Sequence, residues 1–284
     1  MGEHQHGAHA GSEPGYFLEM LDLDGVVLAD TFSSVTEWIA GHLGDHRASR
    51  ILDLGSGTGT GTFALLRRFT DARVTALDAS ADMLHYLLER AGRAGLDGQV
   101  VTHQADLDSS RLPAGPFDLA WASASMHHMA DPARVLADLR AALAPGGLFA
   151  MVEFETFPRF LPHGFGFGTP GLEDRLNAVA DRKREEHHPT VNSDWTARLT
   201  ANGFEVREER TFQTDLRAPL SEAAQRYARV TLSRLREGMG ETLSDEDRHT
   251  LDALLSEHGP ERLETRADLT VRSSRRAWIA APAG

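Results

Sequence analysis

The sequence predicts a doubly wound α/β fold on a mostly parallel sheet of seven strands. Three observations carry this. From Arg50 onward short apolar runs alternate with helical patterns; the first run ends in Gly55, Gly57 and Gly59; and carboxylates (Asp78, Asp106) follow the next two runs. Strands separated by helices run parallel, and right-handed crossovers place helices on both faces.

The elements follow in order. Residues 1–14 carry His4, His6 and His9 with Gly and Pro and no apolar periodicity, and read as a disordered tail. Over 15–46, Phe17, Leu18, Leu21, Val26, Val27, Val35, Trp38 and Ile39 form a helical cover in pieces, interrupted at Asp24-Gly25. The core, 47–154, opens with strand 50–54 and a helix through Phe63, Leu65, Leu66 and Phe69. Strand 73–77 precedes a helix with Met83, Leu84, Leu87 and Leu88; strand 99–103 connects weakly to strand 117–122. Helix 132–143 starts on Pro132, which lacks the N–H that a first turn leaves unpaired, and Pro145-Gly146-Gly147 ends it before strand 148–154. Beyond Glu155 the rhythm changes. Phe154–Gly171 is loop-like; a short helix at 193–201, strand 204–212, helices 221–237 and 245–257, and a last strand around 268–280 complete the chain. Ser244-x-x-Asp247 is a capping box for the second of those helices.

Composition excludes several function classes. The chain has 284 residues, enough for two domains or one with additions, and 41% hydrophobic with 25% charged residues is ordinary for a soluble protein. It contains no Cys, which excludes disulfides, thiolate metal sites and a cysteine nucleophile and fits a cytoplasmic location. A net charge of -13 argues against a nucleic-acid partner; Arg67-Arg68 and Arg182-Lys183-Arg184 read as solvated faces. No apolar run reaches the ~18 residues of a membrane helix, and the start of the chain lacks a basic-then-apolar signal pattern.

The glycine turn carries the chemistry. A strand ending in glycines and opening a helix presents bare N–H groups and a positive helix end to a ligand. The dinucleotide fingerprint G-x-G-x-x-G fails in both registers, because Thr60 and Thr62 stand where its third glycine belongs, and no Gly-Lys-Ser/Thr follows for a P-loop. What remains is G-x-G-x-G with Asp53 two residues upstream. Asp78 ends the second strand, where an acid accepts from ribose hydroxyls, and Asp106 follows the third, within reach of an exocyclic amine. Asp78 or Asp106 alone reads as a turn or cap residue; the glycine turn, Asp78 and Asp106, each at a strand's C-terminal end and in the right order, point together to a site.

Asp53-Leu54-Gly55-Ser56-Gly57-Thr58-Gly59, Leu77-Asp78-Ala79-Ser80, Ala105-Asp106-Leu107 and Phe117-Asp118-Leu119 resemble the successive motifs of class I S-adenosylmethionine-dependent methyltransferases. Met126-His127-His128-Met129-Ala130-Asp131-Pro132, followed by Leu143-Ala144-Pro145-Gly146-Gly147, resembles the subgroup of ubiquinone/menaquinone methyltransferases and natural-product O-methyltransferases. The resemblance covers about residues 50–154. It implies a cofactor, S-adenosylmethionine (leaving as S-adenosylhomocysteine), with Gly55, Ser56, Gly57 and Gly59 under its methionine moiety, Asp78 and Ala79 at the ribose, and Asp106 and Leu107 at the adenine. Ser123, Tyr16 and Asp53 complete the expected cofactor-binding set, although Asp53 equally well braces the turn. A cationic sulfonium tolerates these carboxylates, whereas a pyrophosphate would be repelled.

Methyl transfer needs alignment and exclusion of water, and a base only where the acceptor atom carries a proton. His127 and His128 follow the fourth strand and Glu153 ends the fifth, both at the ligand edge. A His base oriented by Glu153 is one reading, and a loop or cap role for the His pair is the other. No Asn/Asp-Pro-Pro-Tyr/Phe of exocyclic-amine methylases follows strand four, and no Asp-Asn metal pair either, so no metal is expected. Phe154, Phe157, Phe160, Phe165 and Phe167 form an aromatic wall for the acceptor or a cluster under a loop. Residues 155–284 are the expected acceptor-binding region, with lid helices at 219–258; Tyr227, Arg226 and Arg229 are candidate lining residues, and His187-His188 ends a solvated helix before Pro189. The expected function is methylation of a small apolar or aromatic molecule in specialised metabolism, with O-methylation favoured. Cyclisation or decarboxylation on the same cofactor site is the alternative, and a cofactor-sensing module a third.

Overall fold

The structure is a computed structural model and describes residues 14–188, 190 and 192–283. The tail expected over 1–14 therefore lies outside the described residues, apart from Pro14. In chain order the elements are α1 (Pro14–Val27), α2 (Ala29–Leu43), β1 (Arg50–Leu54), α3 (Thr60–Arg68), β2 (Arg73–Asp78), α4 (Ala81–Arg93), β3 (Val100–Gln104), β4 (Phe117–Ser123), a 3-10 turn (Met126–His128) and α5 (Pro132–Ala142). They continue with β5 (Leu143–Arg159), α6 (Leu172–His187), α7 (Trp195–Ala201), β6 (Phe204–Leu216), α8 (Glu222–Met239), α9 (Asp245–Leu255) and β7 (Val271–Pro282).

The sheet has seven strands in the order β3-β2-β1-β4-β5-β7-β6. The pairs β2–β3, β1–β2, β1–β4 and β4–β5 are parallel. From β1 the chain first steps outward to β3 and then returns to lay β4 on the other side. Order reverses between β1 and β4, and ligands of such sheets bind in the crevice beyond the strand ends at that reversal. The residues after β1 and after β4 thus share one edge of the molecule by topology alone.

Two compact units divide the chain. The larger comprises Leu28–Thr156, Arg184–Thr214 and Ser274–Gly284. Its core joins Leu52, Leu54, Leu77, Ala120, Ala122, Phe149 and Met151 of the parallel strands to Val135, Leu136 and Leu139 of α5 and to Trp195 and Leu199 of α7. Parallel strands covered on both faces read as nearly unbroken apolar runs, as β1 and β4 do. The helices α3 and α4 pack on β2, and α2 on α3. The smaller unit comprises the described residues of Met1–Val27 with Phe157–Lys183 and Asp215–Ser273. There α1 packs on α8 and α8 on α9, with Arg226 on Glu19 through two hydrogen bonds (2.6 and 2.8 Å) and Tyr227 donating to Asp24 at 2.7 Å. Ser244 caps α9 by accepting from the Asp247 N–H at 3.1 Å.

Three sequence expectations are corrected. Asp24-Gly25 does not interrupt the first helix; the break falls at Leu28, whose φ and ψ of -98° and 19° leave the helical range. An isolated Gly costs a helix only about 1 kcal/mol, which packing on α8 offsets. The segment after Phe154 is not wholly a loop, because β5 runs on to Arg159, and β6 likewise extends past Phe212 to Leu216. Residues 172–187 form a 16-residue helix of which the sequence marks only the end. Of the phenylalanines from 154 to 167, Phe154 carries the Arg275 guanidinium over its ring in the larger unit, and in the smaller Phe160 meets Tyr227 edge-on and Phe165 meets Phe167.

Candidate active site

The glycine turn is built by the residues around it. Gly55 has φ +66°, and a Cβ there would stand 2.5 Å from the Cβ of Ser125. Gly59 has φ +91° at the start of α3, and a Cβ would meet Leu87 and Phe63 within 3 Å, at 2.8 and 2.9 Å. Only glycine fits both positions. The Ser56 N–H donates to the Leu77 carbonyl (2.9 Å) and the Gly57 N–H to Asp78 Oδ2 (2.9 Å), so strand β2 holds the turn open. Arg90 from α4 donates to the Thr58 carbonyl at 2.9 Å.

Asp53 is buried beneath this turn and accepts from the Thr62 hydroxyl at 2.6 Å. Its carboxyl is pushed up to about 7, chiefly by burial and further by the neighbouring Asp78 charge, against the Thr62 hydrogen bond. The structure thus gives Asp53 a partner on the first turn of α3. Asp78 accepts from Gly57 through one oxygen and from the Ser80 N–H (2.9 Å) through the other. Each oxygen has two lone pairs, so acceptor capacity remains. Ala79 follows, its carbonyl accepting from Gln104. Asp106 bends its own loop by accepting from the Asp108 N–H at 2.9 Å and the Ser109 hydroxyl at 3.2 Å. Leu107 is buried and its carbonyl accepts from Arg134.

Ser123 closes β4 opposite Val152 of β5. Ala124 then takes φ +52°, rare for a residue with a Cβ, with its N–H held on the Val152 carbonyl at 2.7 Å. This turn carries Ser125 back over Gly55, where its hydroxyl donates to the Leu54 carbonyl at 2.8 Å. Next comes the 3-10 turn with His127, only 6% exposed, whose Nδ1 lies 2.6 Å from Oε2 of the equally buried Glu153. The other Glu153 oxygen accepts from the Met126 N–H at 3.1 Å. His128 is exposed, and its ring lies 4.1 Å from that of His127. Tyr16 is in the smaller unit, where it lines a cavity of about 470 Å³ together with Arg226, Arg229, Ser233, Arg262 and Glu264.

Three residues of this site escape sequence reasoning. Ser125 and Thr62 are ordinary small polar residues with no pattern to mark them. His188, read as a helix end, brings its ring to 4.4 Å from His128 and 5.7 Å from His127. Among the described residues no group of His, Asp or Glu has the arrangement of a metal centre. No helix of the described residues is long and apolar enough to cross a membrane.

The residues present fit S-adenosylmethionine. The hydroxyls of Ser56 and Thr58 are buried in the turn without a hydrogen-bond partner and stand where a ligand's polar groups would meet them. Carboxylates at that edge suit a cation and oppose a phosphate.

Residues 51–147 match the family model described as a methyltransferase domain. Among curated proteins the chain is 28% identical over 210 residues to the 27-O-demethylrifamycin SV methyltransferase of Amycolatopsis mediterranei, covering 72% of each chain. It is 41% identical over 104 residues to the trans-aconitate 2-methyltransferase of Azoarcus (37% of this chain, 38% of the relative). It is 33% identical over 110 residues to the demethylmenaquinone methyltransferase of Thermus thermophilus (39% and 49%). Of these last two the chain spans less than half the length. The fold is shared with a candidate methyltransferase of Bacillus halodurans C-125, at 18% identity and a TM-score of 0.53 over 88% of this chain and 99% of that one. The glycine turn, the acids that follow it and the matched span lead to one assignment: the protein is an S-adenosylmethionine-dependent methyltransferase whose residues 51–147 form the methyltransferase domain.

Proposed function

We propose that this protein O-methylates a small, apolar or aromatic hydroxyl compound of secondary metabolism, with His127 as base and Glu153 as its orienting partner. The observation that carries this is the buried 2.6 Å contact between His127 Nδ1 and Glu153 Oε2, within β5. A carboxylate only accepts, so Nδ1 carries the hydrogen and Nε2 keeps the lone pair of the neutral ring. The second Glu153 oxygen is engaged by the Met126 N–H, which stops the carboxylate from rotating.

When bound, the cofactor supplies an electrophilic methyl group on a sulfonium that becomes a neutral thioether on transfer. Gly55, Ser56, Gly57 and Gly59 would hold its methionine part, Asp78 and Ala79 the ribose, and Asp106 and Leu107 the adenine, with Ser123 beside them. The protein's own part is alignment and proton removal. As the acceptor oxygen gains its new bond to carbon, its O–H bond breaks and the proton goes to His127 Nε2, leaving an imidazolium that Glu153 stabilises. A hydroxyl acceptor needs that step, whereas a carboxylate acceptor at neutral pH has no proton to give. The relative named for 27-O-demethylrifamycin SV, which shares the longest aligned span among those described, supports a hydroxyl.

The test is to incubate the enzyme and S-adenosylmethionine with 27-O-demethylrifamycin SV, demethylmenaquinone and trans-aconitate separately, following S-adenosylhomocysteine and product mass. Methyl ether formation that His127→Asn and Glu153→Gln both slow, with S-adenosylhomocysteine binding intact, is the expected result. A carbon-methylated or carboxyl-methylated product, or variants turning over at the parent rate, would overturn the reading.

A further inference from the structure

His127 is held at two points, Nδ1 by Glu153 and its carbonyl by the Thr190 hydroxyl at 3.0 Å. One hydrogen bond at Nδ1 fixes the tautomer but leaves the ring free to rock about that bond. Two further rings stand beside it. His128 lies 4.1 Å away at a tilt of 38°, and His188 stands edge-on to both, at 4.4 Å and 88° to His128 and at 5.7 Å and 81° to His127. Thr190, two residues beyond His188, is the residue that pins the His127 backbone. One stretch of chain just past α6 therefore grips His127 from ring and main chain together, 61 to 63 positions away in sequence.

We infer that His188 is a positioning residue for His127, its edge-on ring keeping the two histidines of the 3-10 turn in the arrangement that presents Nε2 to an acceptor. This rests on the reading of His127 as the base. His127 and His128 from the turn face His188 and, through His127, Glu153 from β5; Arg184 and His187 stand in the last turn of α6 just before it, where the His188 N–H bonds the Arg184 carbonyl at 2.7 Å. A positively charged His188 beside a charged His127 would repel it, so packing rather than charge is the favourable part of this contact. Edge-on ring pairs change populations by roughly 3- to 10-fold, which sets the size of the effect.

The 284-residue protein, labelled with 15N at histidine, provides the test without any acceptor. The Nδ1–H proton of His127, assigned by its loss in His127→Asn, is followed by NMR for exchange with water in the parent, His188→Ala, His188→Gln and His188→Phe. Exchange roughly 3- to 10-fold faster in the Ala and Gln variants, with the parent rate retained in the Phe variant, is expected. Parent-like exchange in both Ala and Gln would overturn the inference, and so would a Phe variant as fast as Ala, which would mean that the edge-on ring is not what matters. Failure of the base reading shows elsewhere: His127→Asn would then keep its turnover while the His188 effect on exchange persists.

Discussion

The Ser125 hydroxyl donates to the Leu54 carbonyl at 2.8 Å across 71 positions of sequence, and the Ser125 Cβ sits 2.5 Å from where a Cβ on Gly55 would stand. The end of β1 and the residues after β4 are thus one interlocked object at the sheet's reversal point. Gly55→Ala forces Ala at φ +66° into Ser125, so affinity for S-adenosylhomocysteine should fall at least roughly 10-fold by calorimetry. Adding Ser125→Gly removes the obstructing Cβ and should restore part of that loss, leaving about 1 kcal/mol of left-handed strain. A double variant no better than Gly55→Ala would show that the contact does not limit the site.

Asp78 spends one carboxylate oxygen on the Gly57 N–H and the other on the Ser80 N–H, both at 2.9 Å. Asn offers one oxygen and one NH2, and the NH2 must face a donor. Asp78→Asn should therefore loosen the glycine turn by about 1–3 kcal/mol and weaken S-adenosylhomocysteine binding by roughly 10- to 100-fold. Calorimetric titration of that variant beside the parent decides, and equal affinity would remove Asp78 from the site.

Glu153 likewise serves two donors, His127 Nδ1 and the Met126 N–H. In Glu153→Gln the amide NH2 displaces one of them. If it faces Nδ1, the imidazole carries its hydrogen on Nε2 and is no longer a base there. Turnover should fall roughly 10²- to 10⁴-fold in this variant and in His127→Asn, measured as methylated product by mass spectrometry. Parent-like S-adenosylhomocysteine binding in both distinguishes lost proton transfer from lost fold.

The parallel core and the cofactor edge are legible in the sequence because each strand and the glycine turn are written in consecutive residues: the Arg50–Leu54 run, the glycines after it, Asp78 where β2 stops. His127 and Glu153 are legible for the same reason, each lying just past or at the end of an apolar run. Ser125, Thr62 and His188 are not, because what makes them part of the site is a contact across the fold that leaves no local pattern. The break between the first two helices shows the opposite error. Asp24-Gly25 is a turn signal in isolation, yet Tyr227 of α8 donates to Asp24 and keeps that stretch helical, and the chain turns at Leu28 instead.

Asp53 makes stability depend on pH in a direction opposite to an ion-paired carboxylate. Its folded-state value of about 7 stands above the ~3.9 of an unfolded chain, so the folded form binds the extra proton. The stabilisation is complete below the unfolded value, declines as pH rises between the two, and is gone above about 7, where the folded protein carries a buried charge. Asp53→Asn keeps an oxygen for the Thr62 hydroxyl and removes that charge. Relative to the parent it should therefore gain stability between pH 5 and pH 8, by a difference on the order of 2–4 kcal/mol. Subtracting the parent at each pH cancels Glu173, whose carboxyl burial also pushes up to about 7. All four tryptophans (Trp38, Trp121, Trp195 and Trp278) lie in the larger unit with Asp53, so denaturation followed by their fluorescence reports the relevant unit alone. A difference between variant and parent that stays constant across this range would mean that Asp53 is ionised at the same pH folded and unfolded.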